Sequence, residues 1–228
     1  MKFICEKEPL VETVSNVARA TSAKSPIPAL EGILLSAKDG QLQLTGYDLE
    51  LGIVTTIEAK TEQTGQLILS AKLLQDIIRR IPADTVCISS DERNLATIHG
   101  GVSEFTIPGL DAEEYPELPN FEQESDLVLK QGALKSMIDQ TLFAIATSDS
   151  KPVHTGSLFD VKDSCVTLVS VDGYRLALRR EPIVSDQTTR FVVPGKTLSE
   201  ISKLLRNEDD EAYLAISQKH IVFRIGGY

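Results

Sequence analysis

Apolar residues along this chain recur at two spacings, every second position in short runs and every third or fourth in longer ones, so strands and helices alternate. Residues 2–7 alternate and predict a strand. From about Pro9 through Val14, Val17 and Ala20 the spacing becomes helical, with proline suited to a first turn. Residues 32–37, 41–45 and 51–57 read as a β-meander, with Lys38-Asp39-Gly40 as the first turn. Residues 66–70 predict a further strand. Residues 72–81 then place Leu74, Ile77, Ile78 and Ile81 on one helical face, and Pro82 ends that helix. Three more strands are predicted at 85–89, 95–99 and 104–107. Strand, helix and three strands thus occur twice in the first half of the chain.

The whole order then repeats with a period of 124 residues. Phe3-Ile4-Cys5 aligns with Leu127-Val128-Leu129, Lys38-Asp39-Gly40 with Lys162-Asp163-Ser164, Asp48 with Asp172, and Lys72 with Lys196. Agreement over most of both halves predicts two homologous modules, 1–122 and 123–228, each α+β with two helices packed on antiparallel sheets. Residues 111–126 carry seven acidic residues, Pro116 and Pro119, and no Lys or Arg, which reads as a solvated linker that spaces the modules. The first module continues past Gly100-Gly101 into Glu104-Phe105-Thr106-Ile107, whereas the second reaches Gly226-Gly227-Tyr228. A last strand is expected to be missing from the second module, as in a fragment of a longer protein.

Composition narrows the class. With 228 residues, 42% hydrophobic and 25% charged, the chain is neither disordered nor low in complexity. No apolar run approaches a membrane span and no signal peptide is visible, so a cytoplasmic protein is expected. Cys5, Cys87 and Cys165 stand far apart in alternating segments and read as reduced core thiols. The net charge of −10 argues against a polyanionic partner only if it is evenly spread. It is not. The four helical segments with their exits (9–24, 72–81, 132–151, 196–206) hold ten basic and five acidic residues, a net +5, against 13 basic and 28 acidic elsewhere. Basic helices on an acidic body, without Trp or interleaved aromatics, favour phosphate contact with a duplex over stacking on unpaired bases.

Catalytic motifs do not assemble. Gly195-Lys196-Thr197 resembles the end of a phosphate-binding loop, but Arg190 stands where that loop needs glycine. Ser148-Asp149-Ser150-Lys151 has the spacing of a serine acyl-transfer site without its partner motif. His99, His154 and His220 lack the spacing of zinc ligands, so neither metal nor cofactor is expected. Asp48 and Asp172 read as turn residues duplicated with the module. An enzyme using them as a pair is the alternative from another class.

Met1-Lys2-Phe3, Leu44-Thr45-Gly46-Tyr47-Asp48-Leu49-Glu50 and Val171-Asp172-Gly173-Tyr174-Arg175-Leu176-Ala177, together with the duplication, resemble the β sliding clamp family of bacterial DNA polymerase III over the whole chain. The resemblance implies the DNA clamp fold and a DNA polymerase processivity factor, not an enzyme. It implies a ring of six modules, three per chain in a homodimer, that encircles duplex DNA irrespective of sequence. Expected partners are the polymerase III α subunit, the clamp loader and other proteins carrying a clamp-binding motif; no membrane is involved. By the same resemblance Lys24, Lys72, Arg79, Arg80, Lys151 and Lys196 meet the DNA backbone, whereas Gly195 stands where relatives can carry a basic residue. His154, Val171, Gly173, Tyr174, Arg175 and Leu176 form part of a pocket for partner peptides, with His154 replacing an apolar residue. A two-module clamp that trimerises is the alternative among binding proteins.

Overall fold

The computed structural model describes residues 1–119, 121, 125–147, 151–206 and 209–228, and the chain forms two compact units, Met1–Pro119 with Tyr228, and Asn120–Gly227. The first unit runs β1 (Lys2–Glu6), α1 (Lys7–Val17), β2 (Gly32–Lys38), β3 (Gln41–Tyr47), β4 (Gly52–Glu58), β5 (Lys60–Gln63), β6 (Gly65–Ser70), α2 (Ala71–Arg80), β7 (Thr85–Ser90), β8 (Leu95–Gly100) and β9 (Ser103–Leu110). Its strands join in the order β4-β3-β2-β6-β9-β8-β7-β1-β5, with β9 paired to β8 along its length and to β6 through Ile68–Leu110 and Leu69–Gly109.

The second unit repeats this plan: β10 (Ser125–Lys130), α3 (Gln131–Thr141), β11 (Gly156–Lys162), β12 (Cys165–Val171), β13 (Leu176–Pro182), β14 (Thr189–Pro194), α4 (Gly195–Leu204), β15 (Glu211–Ile216) and β16 (Ile221–Ile225). Its sheets are β13-β12-β11-β14 and β10-β15-β16. Register repeats as well. Leu34 pairs with Thr45 and Ile68, and 124 residues on Leu158 pairs with Val169 and Val192.

Alternation explains why each sheet has one face under helices. In β2, Ile33, Leu35 and Ala37 are buried while Leu34 and Ser36 are only half-buried, as a period of two requires. Leu10, Val14 and Val17 of α1 and Leu74 and Ile78 of α2 are buried on helical spacing, and the two helices pack side by side against the sheet. Contact is closest at Gly46, where a Cβ would lie 2.3 Å from the Val17 carbonyl oxygen. Only glycine lets α1 sit so near β3. Lys7 secures the other end of the pair by donating from Nζ to the Ile81 carbonyl at 2.6 Å, a cation on the open C-terminus of α2. Gln131, its counterpart in the second unit, bridges the Glu211 carbonyl and the Arg206 N–H instead.

Several expectations change. Helix α1 begins at Lys7, two residues before Pro9, and passes at Ala18–Ala20 into a 3₁₀ turn. Strand β5 was not expected from its sequence, because Lys-Thr-Glu-Gln has no apolar position; it holds to the sheet by backbone pairing with β1 at an edge. Cys5 is a buried thiol, but Cys87 and Cys165 are half-buried rather than core residues. The larger correction concerns the acidic segment. After a 3₁₀ turn at Ala112–Glu114, Tyr115 is buried at 8% exposure against Ala29, Leu30, Tyr47 and Ile68. Tyr115 is packed, whereas Asp111, Glu113, Glu114 and Glu117 around it are exposed, as a solvated segment requires; Glu122 and Glu124 further along lie outside the described residues.

Candidate nucleic-acid and partner interface

Helix α2 keeps its apolar stripe on the sheet and so turns its cations outward. Lys72 at its second position and Arg79 and Arg80 in its last turn are exposed, with Ser70 capping the start by accepting from the Leu73 N–H at 3.5 Å. Arg79 also reaches α1, donating to Ser15 Oγ at 3.4 Å beside Gln75, which donates to the same oxygen at 3.2 Å. Lys24 is exposed in the loop after α1, where Ser22 Oγ donates to its carbonyl and the Ser25 N–H donates to Glu31. Three helix-borne cations and Lys24 thus belong to the first unit.

In the second unit Lys196 is exposed at the second position of α4, the place Lys72 takes in α2. Lys151 is exposed just before the 3₁₀ turn Pro152–Thr155, and its carbonyl accepts the His154 N–H at 2.9 Å. The three residues before Lys151 in the serine acyl-transfer spacing lie outside the described residues. Lys203 is bound to Glu200 within α4 at 2.7 Å, and Lys135 donates to the Ser202 carbonyl at 2.7 Å, joining α3 to α4. Gly195 is buried; a Cβ there would lie 2.2 Å from Ile145 Cδ1, so this position holds the start of α4 against the loop.

The second cluster centres on the turn between β12 and β13. Asp172 accepts the N–H groups of Tyr174 and Arg175 at 2.9 and 3.1 Å, and Arg175 Nε completes the ring at 2.9 Å. These interactions hold the Asp172 carboxyl below its ordinary pKa, the Tyr174 N–H contributing most. Gly173, at φ +94°, supplies the left-handed residue. The turn leaves Tyr174 fully exposed and Leu176 at 62% exposure, with Val171 paired to Leu176 across the strands. Arg175 lies 5.7 Å over the ring of exposed Phe143. His154 stands half-buried at the entry to β11, its carbonyl accepting the Ala146 N–H.

Asp48 uses its carboxylate in the same way, accepting the Glu50 and Leu51 N–H groups at 3.0 and 2.8 Å. Both aspartates spend their acceptors on their own turns, one in each unit.

Residues 1–119 match the family described as DNA polymerase III beta subunit, N-terminal domain, and residues 128–228 match its central domain. The chain belongs to the DNA polymerase III beta subunit family. It is 35% identical over 234 residues to the beta sliding clamp of Bacillus subtilis, covering 98% of this chain and 62% of that relative. Among solved structures, the Bacillus subtilis DNA polymerase sliding clamp superposes with a TM-score of 0.96 at 33% identity, covering all of this chain and 62% of the other. The DNA polymerase III subunit beta of Pseudomonas aeruginosa gives 0.94 at 29%, again over 100% of this chain and 63% of that one. This chain therefore spans about 62% of the length of the curated beta clamp relative. The clamp fold expected from the sequence is the fold observed. No helix among the described residues is long and apolar enough to cross a membrane.

Sequence reasoning missed part of the apolar surface beside the turn. Leu178, Val169, Leu158 and Val192 pair in one row across all four strands of the β13-β12-β11-β14 sheet, with Leu178 and Val192 about half exposed. Val153 lies exposed in the 3₁₀ turn before β11. The signal was present in β13, where Leu176 and Leu178 flank buried Ala177: three apolar residues in succession put two on the face away from the helices.

Proposed function

We propose that this chain acts as a DNA polymerase processivity factor, its units being modules of a ring that encircles duplex DNA and tethers the replicative polymerase and repair factors, with no catalysis of its own. Residues 1–122 and 123–228 are then the first and second of three modules per protomer, and two protomers close the ring in the bacterial cytoplasm. The observation that carries this reading is the duplicated helix pair bearing exposed cations on an otherwise acidic chain of this family. Lys24, Lys72, Arg79, Arg80, Lys151 and Lys196 make loose phosphate contacts, which read no sequence and permit sliding. Retention comes from enclosure, so few contacts suffice and the acidic remainder repels DNA from other faces.

His154, Val171, Gly173, Tyr174, Arg175 and Leu176 form one side of a pocket for peptides of the polymerase α subunit, the clamp loader and other partners. The apolar row through Leu158 and Val192 extends it. Full-length protein loaded on nicked circular DNA tests the ring: it should stay bound in moderate salt and run off after linearisation. Equal loss from circle and line would refute enclosure.

A further inference from the structure

The β13-β12-β11-β14 sheet carries a charged row beside its apolar one. Arg180, Thr167, Asp160 and Arg190 pair in turn across the four strands, each two residues along its strand from Leu178, Val169, Leu158 and Val192. Two strand residues span about 7 Å, so the rows are neighbours on one face. Arg190 grips Asp160 through Nε and a terminal nitrogen at 2.8 and 3.2 Å, and Lys162 Nζ lies 3.9 Å from the same carboxylate. The Asp160 carboxyl is held below its ordinary pKa, chiefly by the Arg190 hydrogen bond, with Lys162 and Arg180 adding to the effect. Three cations thus share one carboxylate. Glu181, next to Arg180 in β13, alternates to the other face and is bound by Arg179. Positive charge is therefore left over on this face of a chain whose net charge is −10.

The duplication supplies an internal control. The corresponding row of the first unit is Thr56, Gln43, Ser36 and Gln66, in the same register and without charge; Gln66 donates to Ser36 Oγ at 3.2 Å where Arg190 binds Asp160. There Thr56, Gln43 and Gln66 are exposed even though Tyr115 covers the adjacent apolar row at Ile68. The row thus stands clear of whatever packs over its neighbour, and Arg180 and Arg190 are exposed as their counterparts are. Charge is what sets the second unit apart.

We propose that Arg180, Lys162 and Arg190 form a subsite that continues the partner pocket of the second unit and selects peptides whose apolar anchors are followed by acidic residues. An extended peptide advances about 3.3 Å per residue, so a side chain two positions beyond one lying over Leu178 reaches Arg180. A peptide fits better than nucleic acid because the cations border an apolar row that a phosphate backbone cannot use, and Asp160 interrupts them. This assignment rests on reading the face beside 171–176 as a partner pocket.

The test titrates full-length protein, methyl-labelled at Leu and Val, with two capped hexapeptides, Leu-Ser-Leu-Ser-Asp-Asp and its Asn-Asn analogue. The Leu158, Leu178 and Val192 methyls should shift and saturate with both, the acidic peptide binding about fivefold tighter in low salt and the preference fading in high salt. Arg180→Gln should bring the two affinities within about twofold of each other. Asp160→Asn removes the one repelling charge and should widen the preference beyond that of the unaltered protein, a gain that loss of a merely structural ion pair would not produce. Equal affinities in the unaltered protein, or a preference that survives Arg180→Gln, would overturn the subsite and leave the pocket standing. So would a preference unchanged in Arg180→Gln alongside weakened binding to short linear duplex, which would assign the row to DNA. Methyls unmoved by both peptides would overturn the pocket reading and the subsite with it.

Discussion

The phenol of Tyr115 donates a hydrogen bond to the backbone carbonyl of Thr45 at 3.1 Å, joining positions 70 residues apart at the buried outer face of the first sheet. An aromatic ring supplies the apolar area and the hydroxyl satisfies a strand carbonyl beneath it. Tyr115→Phe should therefore cost about 1 kcal/mol, the net value of one buried hydrogen bond. Tyr115→Ala should cost about 3–5 kcal/mol, because ring burial is lost and Leu30, Tyr47 and Ile68 are left around a cavity. Urea unfolding of the two variants measures both.

Alkaline pH should weaken the fold through two buried groups. Burial pushes the Tyr115 hydroxyl up from 10.0 to about 12 and the Cys5 thiol from 9.0 to about 12. Both folded values lie above the unfolded ones, so the unfolded chain releases its protons first. The stability these groups contribute is complete below pH 9 and is lost as pH rises through about 12. Denaturant midpoints at pH 8, 10 and 11 should fall in that order, and Tyr115→Phe should flatten part of the slope.

The sequence exposed some of these features and hid others for definite physical reasons. Helix α2 was legible because Leu74, Ile77 and Ile78 fall on one stripe, and Lys72 and Lys196 because the repeat puts a lysine at the second position of both α2 and α4. Strand β5 was hidden because an edge strand held by backbone pairing needs no apolar pattern. Tyr115 was hidden because one ring among Asp, Glu and Pro resembles a linker, and what buries it, Ala29, Leu30, Tyr47 and Ile68, is distant in the sequence. Pocket residues 171–176 were legible as a motif, whereas Leu178 and Val192 gain meaning only once register aligns them across four strands.

Removing the α2 cations should change DNA retention without changing the fold. Lys72, Arg79 and Arg80 are exposed, and their loss uncovers no core. On closed circular DNA, the full-length protein with Lys72→Ala, Arg79→Ala and Arg80→Ala should remain topologically trapped but diffuse faster. Its binding to short linear duplex should show a salt slope smaller by about one per phosphate contact removed. An unchanged slope would place these side chains away from the DNA.

Lys7 joins the start of α1 to the end of α2 through its 2.6 Å bond to the Ile81 carbonyl. Lys7→Met keeps the aliphatic stem and removes the donor, at a cost of about 1–3 kcal/mol for a charged hydrogen bond. Hydrogen exchange should quicken at the amides of Arg80 and Ile81 well before the rest of α2, since the loss falls on its last turn.

Asp172 makes the sharpest local prediction. Its carboxylate accepts the N–H groups of Tyr174 and Arg175 and binds the Arg175 side chain, and together these hold the turn that presents Tyr174 and Leu176. Its folded pKa is depressed, so the stabilisation is present above the unfolded value of 3.8 and disappears as pH falls through the lowered one. Asp172→Asn keeps an oxygen for the backbone donors while losing the charge, and Asp172→Ala loses both. Partner-peptide binding to the full-length protein should weaken modestly in Asn and by about tenfold or more in Ala, with DNA retention on circles unchanged in both. Equal, undiminished peptide affinity in the two variants would mean that this turn does not shape the pocket.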